Sequence, residues 1–429
     1  MTDVAVTVIG GRGPHGLAFH LVMQDLGLSD YRLVDSANDW LNLYGSQGPM
    51  QAVSHLRSPK ELDFSLGKAE RSMAAFQAED GSYPLNQVYS LEDAKKDAFN
   101  ETTTERQRAP RDAFYNYANC LAKKSNADSQ AINARVTKLE PYKNIWRVHL
   151  DNNEVFTSSV ILLATGLMPH LYIPKLWRSW WDQLPADRVH HAFKLDYQDF
   201  FKARQVAVIG SSNTATWEAA TKLANSGANV KLLCRSTNPI ERQLPFAVHW
   251  FDKHYIQAFA RLSWKERQKK LKKPRIPASS LPGAAEKARE AGVDIHYYAR
   301  AQYASELWGG VQLAYKTTQG IKIEQFDHIV AATGSSPGPK ELSFLADAAR
   351  QHKAPVIVDG VARNRPILDD AGRWKHLPPL YPLGSYALTR AGHAANTLAS
   401  ATVYLPLLMS NILKDAGLTV EQDDLGLIA

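Results

Sequence analysis

The sequence predicts an α/β protein with two Rossmann-like dinucleotide-binding domains, the second inserted into the first. Three observations predict it. Two strand–turn–helix units, at 4–21 and 205–223, each carry small residues in the turn. Two apolar runs, at 158–169 and 328–337, each end in Ala-Thr-Gly. The chain, at 429 residues, is too long for one ordinary domain.

The first unit places Gly11-x-Gly13-x-x-Gly16 directly after the apolar run 4–9. Gly11 is expected to make the tight turn, and Gly13 to let the backbone approach a pyrophosphate. Gly16 is expected to let the helix pack close to the strand. Pro14 and His15 complete the turn, and the free N–H groups of the helix start favour phosphate. A second apolar strand, 31–34, ends in Asp35, 19 residues after Gly16. A carboxylate near that spacing holds ribose hydroxyls.

The stretch from 35 to 136 is irregular, as segments that cover a cofactor often are. Trp40 and Gln51 lie in this loop-rich stretch, which periodicity alone leaves unassigned. Periodicity predicts a helix over 112–124 with Phe114, Tyr117 and Leu121 on one face. A strand-rich stretch from Val136 leads into the run 158–169. That run is expected to close the first sheet, with Thr165 and Gly166 at the point where the chain leaves past a cofactor.

The second unit is degenerate. Gly210 is kept, Ser212 takes the second glycine position and Ala215 the third. Ser211, Asn213 and Thr214 fill the rest of the turn, with Asn213 expected on the nicotinamide or phosphate side. Cys234 stands where the first unit has Asp35, 24 residues beyond the first glycine in each case. Arg235 and Ser236 follow. A cation and a hydroxyl suit a 2′-phosphate that an acid would repel, which favours NADPH over NADH. The C-terminal return carries a strand and turn at 380–385, with Gly384 against the cofactor. An Ala- and Leu-rich helix from about Ala391 then either points its start at a flavin carbonyl or simply packs. The domain limits on this reading are 1–168, 169–335 and 336–429, with the flavin half-domains flanking the nicotinamide domain.

Composition narrows the chemistry. The only cysteines, Cys120 and Cys234, form no Cys-x-x-Cys, which argues against a redox dithiol, zinc or an iron–sulfur cluster. No metal site is expected. The two cysteines also fit a reducing cytoplasm. The first strand starts almost at once and no apolar run reaches 18 residues, so neither a signal peptide nor an integral membrane segment is expected. The net charge of +7 helps attract anionic cofactors. Its densest run, 264–275, reads as a solvated helix face or loop, so no nucleic acid partner is expected. A homo-oligomer is compatible with all of this.

These pieces resemble the two-dinucleotide-binding flavoproteins, and within them the N-hydroxylating flavin monooxygenases such as the ornithine and lysine N-hydroxylases. Residues 11–18 are similar to that family's G-x-G-P-x-x-L-A. Trp40, Met50-Gln51 and 56–59 resemble its segment near the flavin, which implies Trp40 and Gln51 against the cofactor, with Gln51 hydrogen-bonding on the flavin side. Residues 111–117 resemble its R-x-E-F-x-x-Y helix start, 249–259 its stretch after the second motif, and 396–400 its D-T-L-L-S. The chain departs from the family at Ser212, in reading Asn-Thr-Leu-Ala-Ser at 396–400, and in the register of the histidine–glycine step before it. The F-x-G-x-x-x-H-x-x-x-W motif of Baeyer–Villiger enzymes is absent. The resemblance implies FAD at the first unit and NADPH at the second, with a small substrate and O₂ as partners. It implies oxygen transfer from a C4a-hydroperoxyflavin to a nucleophilic substrate such as an amine. Two alternatives stay open. One is a reductase passing electrons to a quinone, a protein or a small acceptor. The other is a non-catalytic flavin-binding sensor or scaffold.

Overall fold

The structure is a computed structural model, and it describes residues 3–45, 50–59, 61–80, 108–166, 170–197, 201–210, 214–235, 240–241, 246, 248–272, 279–280, 283–336, 338, 342–358 and 362–421. The first strand, β1 (Asp3–Ile9), buries every residue after Asp3. A strand apolar at consecutive positions is covered on both faces, which is the signature of a parallel sheet between helices. Helix α1 (Pro14–Asp25) follows, with Pro14 in its first turn, where a missing N–H costs nothing. β2 (Tyr31–Asp35) pairs parallel with β1, Val6 to Ile9 lying against Tyr31 to Val34.

The strand Val155–Leu163 pairs parallel with the other edge of β1. Its far edge is shared. Ile145–Leu150 runs antiparallel along its first half, and Leu380–Pro382 runs parallel along its last three residues. The expectation that this strand closes the sheet is therefore corrected. It lies inside, because the C-terminal return needs a parallel neighbour and finds one there. Trp146 fixes the junction, donating its indole N–H to the Pro379 carbonyl at 3.0 Å.

The second sheet repeats the plan. Its five strands run Asp294–Tyr297, Asn229–Cys234, Gln205–Gly210, His328–Ala332 and Val189–His191, all parallel. Gln205–Gly210 thus lies between its neighbours as β1 lies between β2 and Val155–Leu163. A three-stranded antiparallel ribbon, Arg300–Leu307 with Gly310–Thr317 and Gly320–Phe326, packs on one face. Its inward Val311, Leu313 and Tyr315 share a core with Trp177, Trp180 and Ile329. The fold class is thus α/β with two dinucleotide-binding sheets, the second formed between two parts of the first. On these memberships we propose the limits 1–168, 169–335 and 336–429.

The helix expected over 112–124 is Arg111–Lys124, with Phe114, Tyr117 and Leu121 buried as its periodicity required. The C-terminal helix differs from expectation. A short helix, Leu388–Ala391, stops at Gly392, whose backbone is left-handed at φ +62°. A Cβ there would lie 1.8 Å from the Trp250 ring. The chain bends round that indole in a 3-10 turn, Gly392–Asn396, and a wide turn at Ser400–Tyr404. Only then does it run as the helix Leu405–Ala416. Among the described residues no helix is long and apolar enough to cross a membrane.

Candidate functional site

A cavity of about 750 Å³ opens at the carboxyl end of the first sheet. Its size falls in the range of small-molecule and cofactor pockets. Gly13, Pro14, His15, Asp35, Val136, Thr165, Gly166 and Gly384, eight of the residues expected at a cofactor, line it. Chain segments far apart in sequence therefore meet at one place, the end of β1.

The glycines divide the work differently from the expectation. Gly10, at φ +83°, makes the tight turn assigned to Gly11, and a Cβ on it would meet the Ala164 carbonyl oxygen at 2.4 Å. Gly11 packs instead on β2, where a Cβ would lie 2.7 Å from the Leu33 Cα. Gly16 is the close-packing position, since a Cβ there would sit 1.7 Å from the Gly11 carbonyl oxygen. Gly13 is the least crowded of the four. The nearest protein atom to a Cβ on it is the Gly10 carbonyl oxygen at 3.2 Å, and the residue faces the cavity. Gly13 also caps α1 with no side-chain bond, so the first-turn N–H groups stay available to an anion.

Asp35 is held by the backbone of the turn. Its two carboxylate oxygens accept the N–H groups of Arg12 at 3.1 Å and Ala37 at 2.9 Å. Each oxygen keeps acceptor capacity, which suits two vicinal hydroxyls. His15 shares a 3.0 Å hydrogen bond with the Ser400 hydroxyl, which also accepts the Gly384 N–H at 3.1 Å. The pyrophosphate turn is thereby tied to the C-terminal return. Burial lowers the His15 pKa to about 4, so the ring is neutral at physiological pH.

Trp40 does not reach the cavity. It is buried, and its indole N–H donates to Asp128 at 3.0 Å, the same carboxylate that pairs with Arg12 at 3.3 Å. Its place is behind Arg12, which does line the cavity. Gln51 is also corrected. Its carboxamide turns away and donates to the Leu195 carbonyl at 2.8 Å, because that carbonyl of the second domain approaches it closely. Two polar atoms of lining residues, Arg12 Nε and Thr165 Oγ1, are buried with no hydrogen-bond partner among the described residues. Buried polar atoms are rarely left so unless a ligand or water meets them.

Sequence reasoning missed part of the wall. Arg12, Tyr44, Val53, Arg135, Phe193, Ser343 and Phe344 line the cavity, beside Met50 and Leu56 of the segment expected near the flavin and Leu398 of 396–400. Arg12 lies inside the motif and was open to recognition. Phe193 and Phe344 carry no local signal, since they arrive from the second domain and from the start of the helix Ser343–Gln351.

The second unit is described in part. A Cβ on Gly210 would lie 2.2 Å from the Thr216 hydroxyl oxygen, so Gly210 sets the close approach of strand to helix. Thr216 donates in turn to the Ala332 carbonyl at 3.2 Å. Thr214 begins the helix Thr214–Asn225, and Arg235 is exposed just beyond Cys234. Ser211, Ser212, Asn213 and Ser236 lie outside the described residues. His191 ties two loops of the second domain together. Its Nε2–H donates to the Gly334 carbonyl at 3.0 Å, and its Nδ1 accepts the Phe193 N–H at 3.2 Å. Cys120 lies on the helix Arg111–Lys124 and Cys234 at the end of a strand of the second sheet, and neither lines the cavity.

The pyridine nucleotide-disulphide oxidoreductase family matches residues 82–273, under half of the chain. No curated protein matches the chain in sequence. Among solved structures, one similar fold is the ornithine N-hydroxylase of Kutzneria sp. 744, with reduced FAD, NADP⁺ and L-ornithine. Its TM-score is 0.75 at 13% identity, covering 96% of this chain and 99% of that one. The FAD-bound cadaverine monooxygenase of the fire blight pathogen Erwinia amylovora gives 0.71 at 15%, covering 98% and 97%. The bacillithiol disulfide reductase of Staphylococcus aureus gives 0.61 at 16%, covering 96% and 99%. At such identities the likeness establishes the fold, and the fold resembles that of the N-hydroxylating monooxygenases.

Proposed function

We propose that the protein is an FAD- and NADPH-dependent monooxygenase acting on a small nucleophilic substrate, an amine by the fold likeness. The observation that carries this reading is the cavity at the end of β1. It joins a glycine facing the cavity, a carboxylate with spare acceptors, two polar atoms unpartnered among the described residues and Phe193 from the second domain. Bound FAD would supply a redox centre that NADPH reduces and that, once reduced, activates O₂. The residues do the rest. Gly13, Pro14 and His15 would receive the pyrophosphate, Asp35 the ribose, and Thr165, Gly166 and Gly384 the flavin side. Met50, Val53, Leu56, Phe193 and Leu398 line the cavity with apolar surface, which excludes water from a reactive centre. NADPH would lie across the carboxyl end of Gln205–Gly210, with Arg235 at its 2′-phosphate.

The disulphide oxidoreductase match favours a second reading, electron transfer to an external acceptor. Cys120 and Cys234 sit in different domains, so a redox dithiol at the flavin is not the route. One experiment separates the readings. Anaerobic NADPH should bleach the flavin. Reoxidation by O₂ with candidate amines should then give hydroxylated amine in step with NADPH consumed. Bleaching followed by fast dye or quinone reduction, with no oxygenated product, would establish the reductase. A flavin that NADPH never bleaches would leave the non-catalytic module.

Coenzyme choice gives a further expectation. Arg235→Ala removes a charge-assisted contact worth about 1.5–3 kcal/mol at full strength, less at an exposed site. NADPH affinity should fall about tenfold while NADH affinity barely changes. Isothermal titration with both coenzymes decides it, and equal losses would place the 2′-phosphate elsewhere.

A further inference from the structure

Residues 50–54 form part of the cavity wall through Met50 and Val53. They are hydrogen-bonded to both domains. On the first-domain side, Arg111 donates its guanidinium to the Met50 carbonyl at 3.4 Å and its backbone N–H to the Ser54 carbonyl at 3.0 Å. On the second-domain side, the Gln51 carboxamide donates to the Leu195 carbonyl, and Lys222 donates to the Gln51 carbonyl, each at 2.8 Å. Ala52 packs against the second domain's core.

Lys222 stands on the helix Thr214–Asn225, whose first residues adjoin the second dinucleotide turn. It is partly buried, its ammonium 5.6 Å from the centre of the Tyr197 ring. Burial, and then the nearby Arg111, hold it below the usual lysine range, while Asp112 and Asp196 pull the other way. Gln51 is only 8% exposed. A buried carboxamide and a half-buried cation are thus both committed to backbone carbonyls across the junction. A loop that merely covered a cofactor would not need them. Any shift of that helix against the first domain must move the Met50–Val53 wall or break these bonds.

We propose that residues 50–54 are a coupling strap, with Gln51 and Lys222 as positioning residues through which a dinucleotide at the second site sets the wall of the first. This rests on the two-cofactor reading above. It is supported by the contacts that run from the helix after the second turn through Lys222 and the 50–54 backbone to Met50 and Val53 in the cavity wall.

NADP⁺, which cannot reduce the flavin, is the probe. On the FAD-loaded wild type it should slow hydrogen exchange in residues 50–54 by about threefold or more and perturb the flavin absorption spectrum. Lys222→Met keeps the stem over Tyr197 but donates nothing. It should retain FAD and hold NADP⁺ within about twofold of wild type, yet lose both responses. Lys222→Arg, which can still donate, should restore them. If Lys222→Met fails to load FAD, Gln51→Met carries the same test from the other end. Variants that respond to NADP⁺ as the wild type does would overturn the strap. A wild type that binds both cofactors with no change at 50–54 would overturn it too, leaving the functional reading intact. A wild type that binds neither cofactor would end both.

Discussion

Replacing Gly13 with valine should give a folded protein that holds no flavin. Gly13 sits at φ −84°, a value any residue adopts, so valine meets no backbone strain there. A Cβ meets one protein atom, the Gly10 carbonyl oxygen at 3.2 Å, a tight contact that a shift of a few tenths of an ångström relieves. The added carbons must therefore enter the cavity where the pyrophosphate would lie. Forcing a branched side chain against a bound group costs several kcal/mol, and each 1.4 kcal/mol is about tenfold in affinity. Flavin per chain should fall from about one to below about a tenth, with the far-ultraviolet circular dichroism unchanged. Gly16→Ala is the contrasting variant. Its Cβ would lie 1.7 Å from the Gly11 carbonyl oxygen, so α1 must leave the sheet and folding itself should suffer. The flavin-to-protein absorbance ratio, with a thermal melt, distinguishes the two. A Gly13→Val protein that kept a full complement of flavin would mean that the cavity is not the flavin site.

That contrast shows where local sequence was enough and where it was not. The two strand–turn–helix units were legible because each is local: strand, small residues and helix start lie within twenty residues, and Asp35 follows at a fixed offset. The division of labour among Gly10, Gly11, Gly13 and Gly16 was not legible. It depends on Ala164 and Leu33, which approach from strands that only the sheet brings together. Gln51 makes the same point more sharply. Its position beside Met50 suggested the flavin, but residues 50–53 form a turn, closed by the Val53 N–H on the Met50 carbonyl at 2.9 Å, and the Gln51 side chain leaves it toward the second domain. Leu195, from the other domain, then supplies the acceptor. Gly392 and Trp250 explain why an Ala- and Leu-rich segment is not one helix. Helix propensity there yields to a tertiary contact of 1.8 Å to a would-be Cβ.

Burial of histidines makes acid a selective denaturant. Burial lowers the His191 pKa to about 4, against a smaller upward pull from the Gly334 carbonyl, and Lys194 adds a still smaller downward push. His191 is 7% exposed, so solvent screens this little. Burial also holds His15, His190 and His393 at about 4. In the unfolded chain each returns to about 6.5. Above pH 6.5 both states are neutral and the full stability is present. As pH falls from 6.5 to 4 the unfolded chain binds protons that the folded chain refuses, so stability is lost across that window. Below 4 both states are charged and this loss stops. For His191 the shift corresponds to roughly 3 kcal/mol. Protonation would also take away the lone pair that accepts the Phe193 N–H, and Phe193 is part of the cavity wall. Flavin release should therefore precede or accompany acid unfolding. His191→Gln offers a control, because a carboxamide has one donor and one acceptor and does not titrate. Urea midpoints from pH 7.5 to 4.5 should fall steeply in the wild type. In His191→Gln the fall should be shallower by about 3 kcal/mol over the whole window. Identical pH profiles for the two proteins would show that His191 is not held neutral by its burial, and that the acid sensitivity lies elsewhere.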